Sequence, residues 1–251
     1  MKIFVSGKGG SGKSTVSALL GMEFAKRGRE VLVVDNDESN YGIHTHLGLD
    51  LPKDFMYYFG GKKDLFDRTE DIKDGMETEN LPDEYLSKEG NLGLLAIGKI
   101  KEYGEGCACP MNVLSGEFLK SLSLHDEEIL IVDMDAGIEH FGRKVEDGAD
   151  IVLLVIDPTR ESIKLSEKIT EFAHNIDKSV YFVLNKVDEE TETIIYESVD
   201  ENKVIGVIPE DERIFKASLN GKPLDFQLGS VEEIVDSLVE VEEKVLRPFK
   251  S

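Results

Sequence analysis

Residues 2–15 read KIFVSGKGGSGKST, a short apolar run followed by a glycine-rich turn that carries two lysines. The run predicts a strand, and residues 7–14 match the pattern G-x-x-x-x-G-K-[ST] between that strand and a predicted helix. In this motif backbone N–H groups surround phosphate oxygens, and the following helix directs its partly positive N-terminus at the same anion. The predicted phosphate-binding loop consists of Gly7, Lys8, Gly9, Gly10, Ser11, Gly12, Lys13, Ser14 and Thr15.

Downstream of this loop, apolar runs alternate with helical stretches. The runs are nearly continuous in apolar residues, which is typical of parallel strands covered on both faces. We therefore predict an α/β fold with a doubly wound, mostly parallel sheet and helices on both faces. Predicted strands lie at residues 3–5, 31–35, 92–97, 128–133, 151–157, 180–185 and 204–208, and predicted helices at about 14–27, 111–124, 160–175 and 189–198.

One stretch interrupts the alternation. Residues 50–91 hold an aromatic cluster and then a polar, acidic segment, which we interpret as an insertion on one edge of a single domain spanning residues 1–251. The cluster contains Phe55, Tyr57, Tyr58 and Phe59, and we expect it to pack under the insertion.

Polar residues at the ends of the predicted strands complete a candidate catalytic site. Lys13 is expected to contact the β- and γ-phosphates of a nucleotide, and Ser14 to place its hydroxyl on Mg²⁺. Asp133 ends the run EILIVD and is predicted to hold Mg²⁺ through water, whereas Asp135 and Gly137 would lie in the loop that senses the γ-phosphate. Either aspartate is alternatively a solvated strand end.

The double-lysine form KGGSGKST resembles the deviant Walker A ATPases, which include septum-positioning and partition ATPases, the nitrogenase iron protein and metal-insertion ATPases. This resemblance implies that Lys8 reaches the nucleotide of a second subunit. It also implies that Asp37 is the hydrolytic residue and that Asp35 lies nearer the magnesium shell. ATP and Mg²⁺ are therefore the expected substrate and cofactor.

The identity of the base is less constrained by the sequence. Residues 185–188 read NKVD and match the N-K-x-D pattern of guanine-binding GTPases, in which the aspartate bonds to the base. The resembled ATPases use an asparagine at this strand end, here Asn185, and a loop near Pro209 and Asp211 to read adenine. We favour ATP, and Asp188 keeps GTP open.

Both cysteines of the chain fall in the run Cys107-Ala108-Cys109, in a predicted loop at residues 106–110. A disulfide across one residue is strained, and a reducing cytosol disfavours it. Two thiolates supply half of a closed tetrahedral site, so a two-fold dimer would bring together all four. Thiolates suit Ni²⁺, Zn²⁺ or Cu⁺ without choosing among them.

Together with the loop, these cysteines resemble the CooC-type nickel-insertion ATPases of carbon monoxide dehydrogenase maturation. The matching residues are the two-lysine loop, Cys107 and Cys109 with the following proline, and residues 136–140 (AGIEH), whereas Asp135 and Asp188 depart from the pattern. The resemblance implies a homodimer that delivers Ni²⁺ or Zn²⁺ to apo carbon monoxide dehydrogenase or a similar nickel enzyme.

Composition and charge narrow the classes of function that the sequence allows. The chain has 29 basic and 51 acidic residues, a formal net charge of -22, so phosphate backbones and anionic membranes would repel it. With no signal peptide and no apolar run of membrane length, we expect a cytoplasmic protein. The alternatives left open are a positioning or partition ATPase, a nitrogenase-like reductase and a nickel-handling GTPase. His44 and His46 lie close to Asp37 in sequence and are read as ordinary polar positions.

Overall fold

The computed structural model describes residues 1–61, 64, 75–100, 109–137, 145–176 and 178–246. The strands in this part of the chain form an eight-stranded sheet and a small two-stranded sheet. The strands are β1 (Lys2–Gly7), β2 (Glu30–Asp35), β3 (Met76–Glu77), β4 (Leu86–Glu89), β5 (Leu92–Ala96), β6 (Leu122–Ser123), β7 (Glu128–Asp133), β8 (Ile151–Ile156), β9 (Ser179–Val187) and β10 (Val204–Pro209). The helices are α1 (Lys13–Lys26), α2 (Ile43–Leu47), α3 (Cys109–Ser121), α4 (Arg160–Asn175), α5 (Glu189–Tyr196), α6 (Glu212–Leu219) and α7 (Gly229–Leu246).

The large sheet has the order β10-β9-β8-β1-β7-β2-β5-β4. All neighbouring pairs in it are parallel except β4 with β5, which is antiparallel. Because β7 lies between β1 and β2, the carboxyl ends of these three strands meet at one edge. Asp133 pairs in register with Val5 on one side and with Asp35 on the other.

Two hydrophobic clusters cover the sheet, one on each face. Successive residues of a strand point to opposite faces, so Phe4 belongs to one cluster and its neighbours Ile3 and Val5 to the other. The first cluster includes Phe118 of α3, and the second includes Leu238 of α7. The predicted doubly wound sheet with helices on both faces is confirmed.

The described part of residues 50–91 includes β4, which is the last strand at one edge of the large sheet. Phe55–Phe59 is a 3₁₀ helix whose phenylalanines are buried, whereas Tyr57 is 51% exposed and Tyr58 is 39% exposed. The ring of Phe55 lies 4.8 Å from the ring of Phe118. The phenylalanines of the cluster therefore pack into the core, and the tyrosines face outward.

The helix boundaries differ from the predicted ones near the cysteine pair. The predicted helix at 111–124 begins at Cys109 and ends at Ser121, where the short strand β6 follows. Pro110 fits because the first-turn N–H groups of a helix have no partner within it. Residues 109 and 110 of the predicted loop are thus helical, and Cys107 lies outside the described residues.

A search of the described helices finds none that is both long enough and apolar enough to cross a membrane.

Candidate active site

The phosphate-binding loop joins β1 to α1 and is fixed by a contact with β9. Gly12 precedes α1 with a left-handed φ of 98°. The Asn185 side chain fills the place that a Cβ atom at residue 12 would occupy, and its Nδ2 donates to Ser11 O at 2.8 Å. Glycine is therefore required at residue 12 both for backbone conformation and for space.

A cavity of about 630 Å³ opens beside this loop. The loop contributes Gly9, Gly10, Gly12, Lys13, Ser14 and Thr15 to its lining, and the remaining lining residues are Asp37, Ser39, Asn40, His46, Ala136, Asn185, Lys186, Pro209, Glu210, Asp211, Ile214, Phe215 and Ser218. Within the described part of the chain, the buried Ser11 hydroxyl has no hydrogen-bond partner. Lys13 is also buried, with its ammonium 3.5 Å from Lys8 O. Of these two groups Lys13 lines the cavity, so the loop presents a cation there, which suits a polyphosphate.

Asp133 is buried beside the start of α1, next to the cavity-lining Ser14. The Ser17 hydroxyl donates to its Oδ1 at 3.2 Å. Burial raises the pKa of Asp133 to about 7, the nearby Asp35 raises it further, and a hydrogen bond from Ser14 opposes both. Hard oxygen ligands suit Mg²⁺, so Ser14 and Asp133 fit such an ion. When bound there, Mg²⁺ would neutralise charge on the phosphates.

Asp35 contacts a cation that the sequence did not predict. Its Oδ2 lies 2.6 Å from the ammonium of Lys99, a residue that is fully buried. Burial raises the pKa of Asp35 to about 6, and Lys99 opposes that rise. In this structure Asp35 is the counter-ion of a buried lysine that the sequence analysis missed. The available signal was a lysine three residues after the buried strand β5.

Asp37 lies at the cavity wall in a turn that orients its carboxylate. Its Oδ1 accepts hydrogen bonds from the Ser39 N–H at 3.0 Å, the Ser39 hydroxyl at 2.6 Å and the Asn40 N–H at 3.2 Å. Asn40 was not predicted, yet its Nδ2 donates to the Ser14 hydroxyl at 2.9 Å. The turn is thereby linked to the phosphate-binding loop.

Lys8 is paired within its own chain. Its ammonium lies 3.0 Å from Oδ2 of Asp157, just beyond β8, and its side chain is 30% exposed. Burial raises the pKa of Asp157, but hydrogen bonds from Ser162 and Thr159 and the Lys8 ammonium hold that pKa below its usual value. Asp157 is thus an ionised partner for Lys8 that was not predicted.

The residues predicted to contact the base border the same cavity. Lys186, with a left-handed φ of 60°, donates from Nζ to Gly10 O at 2.8 Å. Pro209 and Asp211 also line this cavity, and Asp211 caps α6 and pairs with Arg213 at 2.6 Å. Asp188 instead caps α5 by accepting from the Thr191 N–H at 2.8 Å.

Of the remaining candidates, His46 lines the cavity, and burial lowers its pKa. Gly137 N–H donates to Gly7 O at 3.2 Å, which places the predicted sensing loop against the phosphate-binding loop. Cys109 begins α3, whereas Cys107 and residues 138–140 of the AGIEH run lie outside the described residues.

The doubly wound sheet and this cavity at its carboxyl edge define a P-loop nucleotide-binding protein. A model of the CobQ/CobB/MinD/ParA nucleotide binding domain matches residues 2–99 and 113–224. The chain therefore belongs to the CobQ/CobB/MinD/ParA nucleotide-binding family.

Several relatives and solved structures are similar along most of their length. An uncharacterized ATP-binding protein of Methanocaldococcus jannaschii is 51% identical over 247 residues, covering 95% of this chain and 99% of the relative. The carbon monoxide dehydrogenase accessory protein CooC of Rhodospirillum rubrum is 28% identical over 231 residues, covering 88% of each chain. The septum site-determining protein MinD of Pyrococcus horikoshii, complexed with Mg-ADP, superposes with a TM-score of 0.70 at 21% identity, covering 100% of this chain and 98% of that chain.

Proposed function

We propose that this chain is a homodimeric ATPase that carries Ni²⁺ or Zn²⁺ on Cys107 and Cys109. The client is carbon monoxide dehydrogenase or a related nickel enzyme. The likeness to CooC supports this client, because that relative is a carbon monoxide dehydrogenase accessory protein and covers 88% of this chain.

One observation carries the link between hydrolysis and metal. The segment that leads into the cysteine pair is hydrogen-bonded to the segment that holds Asp37. Ile100 N–H donates to Glu38 O at 3.1 Å, and the Tyr41 hydroxyl donates to Ile100 O at 2.7 Å. We infer that a movement of the hydrolytic segment is passed to Ile100, seven residues before Cys107.

The hydrolytic chemistry follows from the cavity. Lys13 draws charge from the β- and γ-phosphates, and the loop N–H groups hold the phosphate oxygens in place. Asp37 orients a water for in-line attack on the γ-phosphorus and takes its proton, and ADP leaves as the bond to the γ-phosphorus breaks. Ser14 and Asp133 hold the Mg²⁺ that accompanies ATP.

Lys8 connects hydrolysis to assembly. In the single chain its ammonium is held by Asp157 at 3.0 Å, and it is partly exposed. The γ-phosphate of a nucleotide on the partner competes with Asp157 for this ammonium, so ATP draws two chains together. The dimer in turn assembles the four thiolates that a tetrahedral metal site needs.

Adenine is the base that we propose for this site. The Asp188 carboxylate is occupied as the cap of α5 and does not line the described cavity, whereas Asn185, Pro209 and Asp211 do. We expect ATP to outcompete GTP at equal concentration in a fluorescent-nucleotide displacement assay.

The test of the metal assignment is the metal content per subunit, with and without ATP, for the native chain and for Cys107→Ala/Cys109→Ala. The native protein is expected to bind half an ion of Ni²⁺ or Zn²⁺ per subunit as a dimer. The double variant is expected to bind none.

A matched control addresses the other potential metal ligands. Glu77, Glu79 and His125 are exposed, and their ligand atoms lie within 4.8 Å of one another. The variant Glu77→Gln/His125→Ala should leave the stoichiometry unchanged. Stoichiometric metal on a strictly monomeric native protein, or loss of metal in this control alone, would refute the dimeric thiolate site.

A positioning ATPase is the second candidate, because the septum site-determining protein MinD of Helicobacter pylori is 27% identical over 241 residues and covers 87% of this chain. The two candidates separate in a pelleting assay with anionic vesicles or DNA. ATP-dependent co-sedimentation would favour positioning, and its absence together with metal binding would favour metal delivery.

A further inference from the structure

We propose that Lys99 is a positioning residue that fixes the hydrolytic segment 35–40 against the phosphate-binding loop, and that Asp35 serves as its counter-ion rather than as a magnesium residue. This inference rests on the hydrolytic role of Asp37 in the proposed function. The ammonium that holds the two ends of the segment together comes from outside it, from the residue three positions beyond β5.

The ammonium of Lys99 is fully committed to this one segment. It is 2.6 Å from Oδ2 of Asp35 and donates to Asp37 O at 2.6 Å and to Asn40 O. A lysine ammonium has three donors, and each has an acceptor here. The Tyr41 ring lies 5.4 Å from the same nitrogen. Lys99 therefore ties together the start and the end of the segment.

Burial makes these contacts consequential. Lys99 is 0% exposed and Asp35 is 2% exposed, so water does not compete for either charge. A buried charge without its partner is strongly unfavourable. The ammonium therefore persists only while the segment keeps the conformation that supplies all its acceptors.

The far end of the segment transmits this constraint to the phosphates. Asn40 gives its carbonyl to Lys99, and from its side chain it donates to the Ser14 hydroxyl at 2.9 Å. Its N–H donates to the Asp37 carboxylate at 3.2 Å. One residue thus connects the buried ammonium, the hydrolytic carboxylate and the phosphate-binding loop.

The contacts of Asp35 and Asp133 also differ, although the sequence analysis assigned both carboxylates to the magnesium site. Asp35 turns one oxygen to Lys99 and the other to the N–H of Asp37, at 3.2 Å. Asp133 has no cation at that distance among the described residues and lies beside Ser14 and Ser17. Of the two, Asp133 is the one whose carboxylate is not already paired with a lysine among the described residues, which favours it as the Mg²⁺ ligand.

The test uses steady-state ATP hydrolysis and Mg²⁺ titration of the native protein, Lys99→Met, Asp35→Asn and the double variant Asp35→Asn/Lys99→Met. Lys99→Met is expected to lower kcat about a hundredfold, since small misplacement of a reacting group has that effect, with KM for ATP changed less than about twofold. Asp35→Asn is expected to leave the half-saturating Mg²⁺ concentration unchanged. The matched control is Lys88→Met, which removes an exposed lysine paired with Glu30 at 3.2 Å on the same sheet and should keep kcat.

The double variant keeps the result interpretable if Lys99→Met fails to fold. Removing both charges restores the thermal midpoint, yet the carbonyls of Asp37 and Asn40 still lack their donor, so kcat stays low. A native kcat in either Lys99 variant, or a tenfold higher Mg²⁺ requirement in Asp35→Asn, would overturn the inference. Failure of the hydrolytic mechanism itself would look different, because Asp37→Asn would then keep the native kcat.

Discussion

The buried carboxyl of Asp133 makes the stability of the nucleotide-free protein depend on pH. Its pKa is about 7 in the folded chain and 3.8 as an ordinary aspartate, so the folded state holds a proton that the unfolded state has lost. The stabilisation is fully present below the lower pKa, declines as pH rises, and is exhausted above about pH 7. Between pH 6 and pH 8 the free energy of unfolding should fall by about 1.4 kcal/mol from this group.

For a chain of this size that change corresponds to a thermal midpoint about 3–6 °C lower at pH 8. The measurement is thermal unfolding without nucleotide or Mg²⁺ at both pH values, for the native protein and for Asp133→Asn. The amide can still accept the Ser17 hydrogen bond. Asp35, whose pKa is raised to about 6, adds a smaller decline that persists in the variant. Equal pH dependence in both proteins would refute the reasoning.

Three further predictions concern assembly, base choice and the core. Lys8→Ala should abolish ATP-dependent dimerisation in sedimentation velocity, because Asp157 remains but the charge for the partner is gone; a persistent dimer would contradict it. Asp188→Ala should lower the thermal midpoint slightly through the lost helix cap and leave the ATP-over-GTP preference intact; a changed preference would show that Asp188 contacts the base. Phe118→Ala should cost about 3–5 kcal/mol in urea unfolding, against a small change for the exposed Tyr57→Ala; equal costs would contradict the burial seen here.

The sequence predicted the central strands well because each is a continuous apolar run. A run such as ILIV in β7 has no polar face, and only a strand covered on both sides buries it completely. The strands that were missed are short and mixed in character. β4 reads LSKE, and β3 and β6 have two residues each, so neither length nor apolar content distinguished them from turns.

In the candidate site, too, the residues marked by a local sequence pattern were predicted and the others were missed. Lys13 and Asn185 were predicted because a motif or a strand end marks them, and both line the cavity. Lys99, Asn40 and Asp157 were missed because their roles come from partners on other strands and loops. No local sequence pattern predicts that a lysine after β5 contacts an aspartate at the end of β2, because the order of the strands in the sheet determines that contact.

The antiparallel strand β4 limits how far this chain can be shortened without aggregation. It hydrogen-bonds to β5 and carries the exposed Lys88 and Glu89, so the edge strand of the sheet is short and charged. Deleting residues 50–91 to make a minimal variant would remove this edge strand. The strand β5, with the fully buried Leu94 and Leu95, would then be an unprotected edge strand. Exposed edge strands of this kind pair with strands of other molecules, so we expect the shortened protein to aggregate as filaments or precipitate.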